Sequence, residues 1–377
     1  MKRLGSLLAV LTAASLSLQA APKDLSAMLE EVRARHNLPA LACAVVRSNM
    51  VVAEGVVGVR AAGDPTPAEL GDLWHHGSNT KSMTATLAAI LVEEGKLTWT
   101  TTLAEVFPKD AAKMNPAWRG VTLEQLLGHR GGAPDQEWLA QSGLWAQFWT
   151  APGSPRDQRR WLRTAVTARP PQNPPGTKFV YSNTGYILAG TMLEQRTGKA
   201  WEALITERLF RPLGMKTAGF GAPGTPDKLD QPRGHRLDAQ KKLQPVPPGP
   251  GGDNPPGLGP AGTVNCSLDD LAKYVMAHVA GELGHDTPLK LRPESWHKLH
   301  TPLPGQEYAL GWGVSKRAWA DGDALNHTGS NTMWLSNMWL APKRDFAVIV
   351  LTNVGGDDAF RATDEVASKV IKEFLAK

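Results

Sequence analysis

Extended runs rich in Val and Ala stand at both ends of this chain, and most of what lies between them reads as helix. Residues 41–47 and 50–59 form one extended pair around Ser48-Asn49. Residues 311–314, 333–340 and 346–351 form a second set. Strands need partners for their backbone N–H and C=O groups, so the two sets are expected to share one sheet. The helical middle is then an insertion. The implied fold class is α+β: an antiparallel sheet flanked by helices, carrying an all-helical lobe. The α/β lobe is expected to take about 22–95 plus 285–377, and the helical lobe about 96–284. Helical spacing of apolar residues is expected over 24–36, 78–94, 122–128, 136–149, 155–167, 183–196, 200–210, 268–279 and 364–375. The Gly-, Pro- and Asp-dense stretch 221–260 reads as a long surface excursion.

The first residues read as a targeting segment. Lys2 and Arg3 precede the apolar run 4–18, and Ala20-Ala21 offers a small-residue cleavage site before Pro22. Residues 1–21 are therefore expected to be a removable signal, which points to a secreted or periplasmic protein. No later run is long and apolar enough to span a bilayer. Removing Lys2 and Arg3 takes the formal charge from +5 to +3 (5 minus 2). That small excess does not suggest a nucleic-acid partner, which would call for a clustered basic face. The basic cluster 156–163 reads as a solvated helix face. Cys43 and Cys266 do not make a disulfide framework and are expected to be free thiols.

The chemistry concentrates at three places. Ser78 and Lys81 open the strongly apolar run 78–94. Positions three apart on a helix share one face, so Lys81 can reach the Ser78 hydroxyl. A serine needs such a base to become a nucleophile. The same spacing recurs at Ser295 and Lys298, but in a polar setting without an apolar helix behind it. Taken alone, Ser78 reads equally well as a helix N-cap. The second place is Tyr181-Ser182-Asn183. A phenol beside a lysine can have its pKa lowered and serve in proton transfer. Asn183 can hydrogen-bond a substrate carbonyl and Lys81. The third is His327-Thr328-Gly329-Ser330 beside the apolar run 333–340. Gly329 would let a substrate lie against the backbone, and a strand edge there offers a backbone N–H to an oxyanion. In isolation this piece reads as a hairpin turn.

Other hydrolytic and cofactor signatures are missing from the sequence. There is no Gly-x-Ser-x-Gly elbow and no His-Glu-x-x-His, and no Walker-type or Gly-x-Gly-x-x-Gly loop follows a strand. His75-His76 has no further ligand at metal spacing, and His129 reads as structural or substrate-facing. No metal and no cofactor is expected. Trp138, Trp145 and Trp149 fall on one helical face. They read as core packing or as an aromatic wall over the cleft, suited to a glycan or a hydrophobic acyl group.

The three pieces, in this order, resemble the serine β-lactamase and penicillin-binding superfamily. The nearest likeness is its branch of class C β-lactamases, DD-peptidases and family VIII carboxylesterases. Thr122-Leu123-Glu124-Gln125-Leu126-Leu127-Gly128-His129 is similar to that branch's TLxxLLxH stretch. Residues 179–190, with Thr197-Gly198 and Pro212-Leu213-Gly214-Met215, are similar to its YSNxGYxLLG…TG…PLGM run. Gly259-Pro260-Ala261-Gly262 before Asp269-Asp270-Leu271-Ala272, and Leu310-Gly311-Trp312-Gly313, carry the likeness further.

The resemblance implies an acyl-enzyme on Ser78, with Lys81 and Tyr181 sharing the proton work. It implies an oxyanion hole from the backbone N–H groups of Ser78 and Ser330. Substrate would be positioned by Asn183 and by His327, Thr328 and Gly329. Which of Lys81 and Tyr181 is the primary base stays open. Many class C enzymes carry Lys where His327 stands, so a fixed ammonium is replaced by a group neutral at pH 7. The expected function is an exported serine hydrolase acting on a small-molecule ester, peptide or β-lactam. A general esterase or peptidase-like enzyme comes first, ahead of a true class C-like β-lactamase or DD-carboxypeptidase. A non-catalytic binding protein on the same fold is the reading from another class.

Overall fold

The computed structural model describes residues 21–375. The expected signal segment lies outside them except for Ala21. The strands are β1 (Lys23–Asp24), β2 (Ala40–Arg47), β3 (Met50–Gly58), β4 (Leu73–His75), β5 (Gly219–Phe220), β6 (Gly234–Leu237), β7 (Leu243–Val246), β8 (Val264–Ser267), β9 (Gly313–Arg317), β10 (Gly322–Ser330), β11 (Leu335–Ala341) and β12 (Phe346–Thr352).

Both ends of the chain do meet in one sheet. Its seven strands run in the order β1-β3-β2-β12-β11-β10-β9, so β12 pairs with β2 from Phe346↔Arg47 to Thr352↔Leu41. All neighbours are antiparallel except β1 with β3. Side chains alternate across a strand, and here both faces are covered. Leu41, Cys43 and Val45, with Val348 and Val350, face the helices Ser26–Arg35 and Asp357–Leu375. Ala42, Ala44 and Val46, with Ala347, Ile349 and Leu351, face the opposite core, which includes helix Leu268–Glu282. Double burial explains why β2 and β12 read as continuous apolar runs rather than alternating ones.

Several elements depart from expectation for identifiable reasons. Strand β10 was not legible as a strand: Asp323, Asn326, His327 and the Gly residues give it no apolar run. It forms because β11 pairs with Leu325 to Ser330 and β9 with Gly322 to Asn326. The stretch 96–284, expected to be all helical, contains the short strands β5 to β8, and its helix Leu268–Glu282 packs on β2 and β12. The expected helix 136–149 is two helices, Gln136–Gln141 and Leu144–Trp149, separated where Gly143 takes φ +73°. The basic cluster is not a purely solvated face. Arg159 is fully buried and paired with Glu194 and Glu202. Arg163 stacks on Phe107 at 3.9 Å and pairs with Asp110. Cys43 and Cys266 are buried free thiols.

Candidate active site

The turn Gly77–Asn79 and the helix Thr80–Glu93 present Ser78 and Lys81 at the edge of the large sheet. The turn is clamped on one side by β8. The His76 N–H donates to the Val264 carbonyl at 2.9 Å, and the Val264 N–H donates to Thr80 Oγ1 at 3.1 Å. On its other side the turn lies directly against β10. Gly77 has φ +49°, and a Cβ there would stand 2.4 Å from the Ser330 nitrogen. A Cβ on Gly329 would stand 2.0 Å from the His76 carbonyl and 2.8 Å from the Ser78 nitrogen. Glycine at both positions is what lets the two backbones touch.

Lys81 is completely buried although it is a lysine. Its Nζ donates to Asn183 Oδ1 at 2.7 Å and to the Ala261 carbonyl at 2.8 Å, and stands 2.9 Å from Ser78 Oγ. Among the described residues no carboxylate pairs with it, and burial pushes the ammonium well below its ordinary pKa of 10.5. A neutral amine has two protons and one lone pair. Asn183 Oδ1 and the Ala261 carbonyl can hold two of the Nζ protons, so that on losing its third proton Lys81 would turn its lone pair toward Ser78 Oγ.

Tyr181, Ser182 and Asn183 are held at the start of the helix Asn183–Thr197. Ser182 Oγ accepts from the Gly185 N–H and donates to the Pro134 carbonyl, and the Ser182 N–H donates to His129 Nδ1 at 3.0 Å. The Tyr181 ring lies 4.8 Å from Lys81 Nζ. Its phenol does not shift as the sequence suggested. Burial of the hydroxyl pushes it up, and a hydrogen bond with Ser78 opposes this only in part.

His327 is buried between two neutral partners. Asn79 donates its amide to Ser336, which turns Asn79 Oδ1 toward His327 Nδ1 at 3.1 Å. That arrangement assigns the imidazole proton to Nδ1, so Nε2 accepts from the Tyr308 hydroxyl at 3.2 Å. Burial, and secondarily the Lys81 charge, hold its pKa down at about 3. His327 is thus a neutral group at any ordinary pH. Thr328 bonds across to Asn337. Ser330 spends its hydroxyl on the Trp334 carbonyl and the Thr332 N–H, so what it offers the cleft is backbone.

The competing Ser295 and Lys298 pair does not form a site. Ser295 bonds Glu93 and Lys298 pairs with Glu124. The described residues contain no cluster suited to a metal ion, and none of their helices is long and apolar enough to cross a membrane.

Four participants were missed at the level of sequence. Asn79 orients His327, Tyr308 caps it, the Ala261 carbonyl binds Lys81, and Asp253 accepts from buried His75 at 2.8 Å. His75 Nδ1 in turn accepts the Gly77 N–H. Of these, Ala261 sat within a quoted motif and Asn79 stood between two chosen residues. Nothing in their spacing showed what they would bond.

A seven-stranded sheet with the Ser78, Tyr181 and His327 segments converging at one edge defines a hydrolase class. The chain belongs to the family described as Beta-lactamase, whose profile matches residues 25–371. It is 26% identical over 341 residues to Penicillin-binding protein 4 of Amycolatopsis lactamdurans, covering 88% of this chain and 85% of that protein. It is 25% identical to the Unguisins hydrolase ungD of Aspergillus violaceofuscus, covering 84% of this chain but 58% of that longer protein. The fold is shared with the octameric penicillin-binding protein homologue of Pyrococcus abyssi, at a TM-score of 0.72, 23% identity, and coverage of 93% of this chain and 78% of the other. It is also shared with the D-alanine carboxypeptidase AmpC of Burkholderia cenocepacia, at 0.69, 19% identity, and coverage of 90% and 96%.

Proposed function

We propose that the protein is an exported serine hydrolase that opens an ester or amide through an acyl-enzyme on Ser78. The observation that carries this reading is the buried Lys81 amine, 2.9 Å from Ser78 Oγ with its other contacts made to two carbonyl oxygens. Lys81 takes the Ser78 proton as Oγ attacks the acyl carbon. The Ser78 and Ser330 backbone N–H groups, brought together by Gly77 and Gly329, receive the negative oxygen. Tyr181, protonated because burial raises its pKa, delivers a proton to the leaving group as its bond to carbon breaks, and the proton held on Lys81 then passes to the Tyr181 oxygen, which restores the amine. Water then attacks the acyl-enzyme, Lys81 again accepts the proton, and Ser78 regains it as the acid departs. Asn183 and the His327 to Ser330 edge hold the substrate.

Esters, and peptides whose leaving group bears no carboxylate, are favoured over β-lactams by one observation: His327 carries no charge with which to fix a carboxylate on the leaving-group side. A fluorophosphonate probe is expected to label the wild type and not Ser78→Ala. The same two proteins, tested on p-nitrophenyl esters, a chromogenic cephalosporin and a D-Ala-D-Ala peptide, should show Ser78-dependent turnover, fastest on the esters. A cephalosporin turned over fastest would reverse the substrate order. Ester hydrolysis undiminished in Ser78→Ala would remove the reading.

A further inference from the structure

A cavity of about 370 Å³ opens beyond Asn183 and Ser330. Tyr181 and His327 do not line it. In acyl transfer the acyl substituent and the leaving group extend to opposite sides of the carbon attacked by Ser78. Tyr181, His327 and Tyr308 occupy the side where a proton must be supplied. The cavity therefore lies on the acyl side, and its walls state what acyl group fits.

Two walls are apolar. Trp145 and Trp149 meet edge to face at 5.9 Å, and Met333 is buried beside them. Trp149 remains 42% exposed, an indole held out over the cleft. The break at Gly143 sets the short helix that carries both indoles. The cavity also contains two charged residues in unequal states. Asp253 is nearly buried with both oxygens engaged, Oδ2 by His75 at 2.8 Å and Oδ1 by Asn331 at 2.8 Å. Arg236 is exposed on β6. One of its nitrogens donates to the Gly251 carbonyl, and among the described residues no ion pair engages it. Its remaining N–H groups are open to an anion, and guanidinium suits a carboxylate in a two-bond pairing. The opposite side of the site is neutral at His327.

We infer that this site selects acyl donors whose acyl group combines a flat apolar portion with a carboxylate, the indoles taking the first and Arg236 the second. Charge is read on the acyl side and not on the leaving group. The substrate class is the mono-ester or mono-amide of an aromatic or hydrophobic dicarboxylic acid, and hydrolysis releases the diacid with an alcohol or amine. The inference rests on the Ser78 hydrolase reading above.

The test compares p-nitrophenyl 4-carboxyphenylacetate with its neutral counterpart, p-nitrophenyl 4-methylphenylacetate. The wild type is expected to favour the carboxylate ester in kcat/KM by about tenfold, the scale of one charge-assisted contact near solvent. The preference should shrink in 0.5 M NaCl, as an exposed charge contact does. Arg236→Met should bring the ratio near one, Arg236→Lys should keep part of it, and Trp149→Ala should raise KM for both esters. Equal turnover of the two esters by the wild type, or an unchanged ratio in Arg236→Met, would overturn the inference while leaving the hydrolase reading intact. Failure to turn over either ester, with no fluorophosphonate label on Ser78, would remove both.

Discussion

In the proposed mechanism the proton on Lys81 decides when Ser78 can be activated. A buried lysine without a carboxylate beside it cannot keep an ordinary ammonium, and burial lowers its pKa well below the usual value. Activity in kcat/KM should therefore rise with pH as Lys81 loses its proton. It should then stay level into the alkaline range, because burial holds the Tyr181 phenol protonated. The same logic separates the two residues. Tyr181→Phe should cost a slow alkyl ester or amide roughly 100-fold or more in kcat, the usual scale for a lost general acid. It should cost a p-nitrophenyl ester far less, since that leaving group departs without a proton. Equal losses on both substrates would mean that Tyr181 only holds the site together.

At the scale of elements, the site depends on how closely β10 approaches the turn Gly77–Asn79. Gly329→Ala puts a carbon 2.0 Å from the His76 carbonyl and 2.8 Å from the Ser78 nitrogen, so backbone must move. The expected result is a loss of kcat of roughly 100-fold or more together with a lowered melting temperature, since oxyanion donors tolerate little displacement and the clash is with backbone. An unaffected kcat would show that the two backbones are not the oxyanion donors. Element legibility followed local signal. The helix Pro155–Thr167 begins and ends where sequence placed it, because Ser154 and Asp157 form a capping box there. Helix Asn183–Thr197 is similarly marked by the Ser182 cap and by Gly198. Strand β10 carries no such local mark, because its identity comes from β9 and β11. Trp138, Trp145 and Trp149 were placed on one face by ideal periodicity, which Gly143 interrupts. Trp145 and Trp149 nonetheless meet at the cleft. Ser78, Lys81, Tyr181, Asn183 and His327 were visible as residue types at characteristic spacing. Asn79, Tyr308 and Asp253 were not, since their part is set by neighbours distant in sequence.

The molecule as a whole pays for its site in buried histidine. His76 and His327 are both held down to a pKa of about 3, each chiefly by burial, against an ordinary 6.5. Between those values the unfolded chain binds protons that the folded chain refuses. Stability is therefore full above about pH 6.5 and falls as pH drops toward about 3, by about 1.4 kcal/mol per pH unit for each group. Urea unfolding should thus show a loss on the order of 4 kcal/mol between pH 7 and pH 5. A flat profile over that range would contradict the burial of these rings as neutral groups.

Whether Ser78 carries the acyl group is read most plainly from intact-mass measurement during turnover of a slow ester. One acyl group per chain is expected, mapped to the peptide containing Ser78, absent from Ser78→Ala and accumulating slowly in Lys81→Met. An acyl group mapped to another residue, or full turnover by Ser78→Ala, would contradict it.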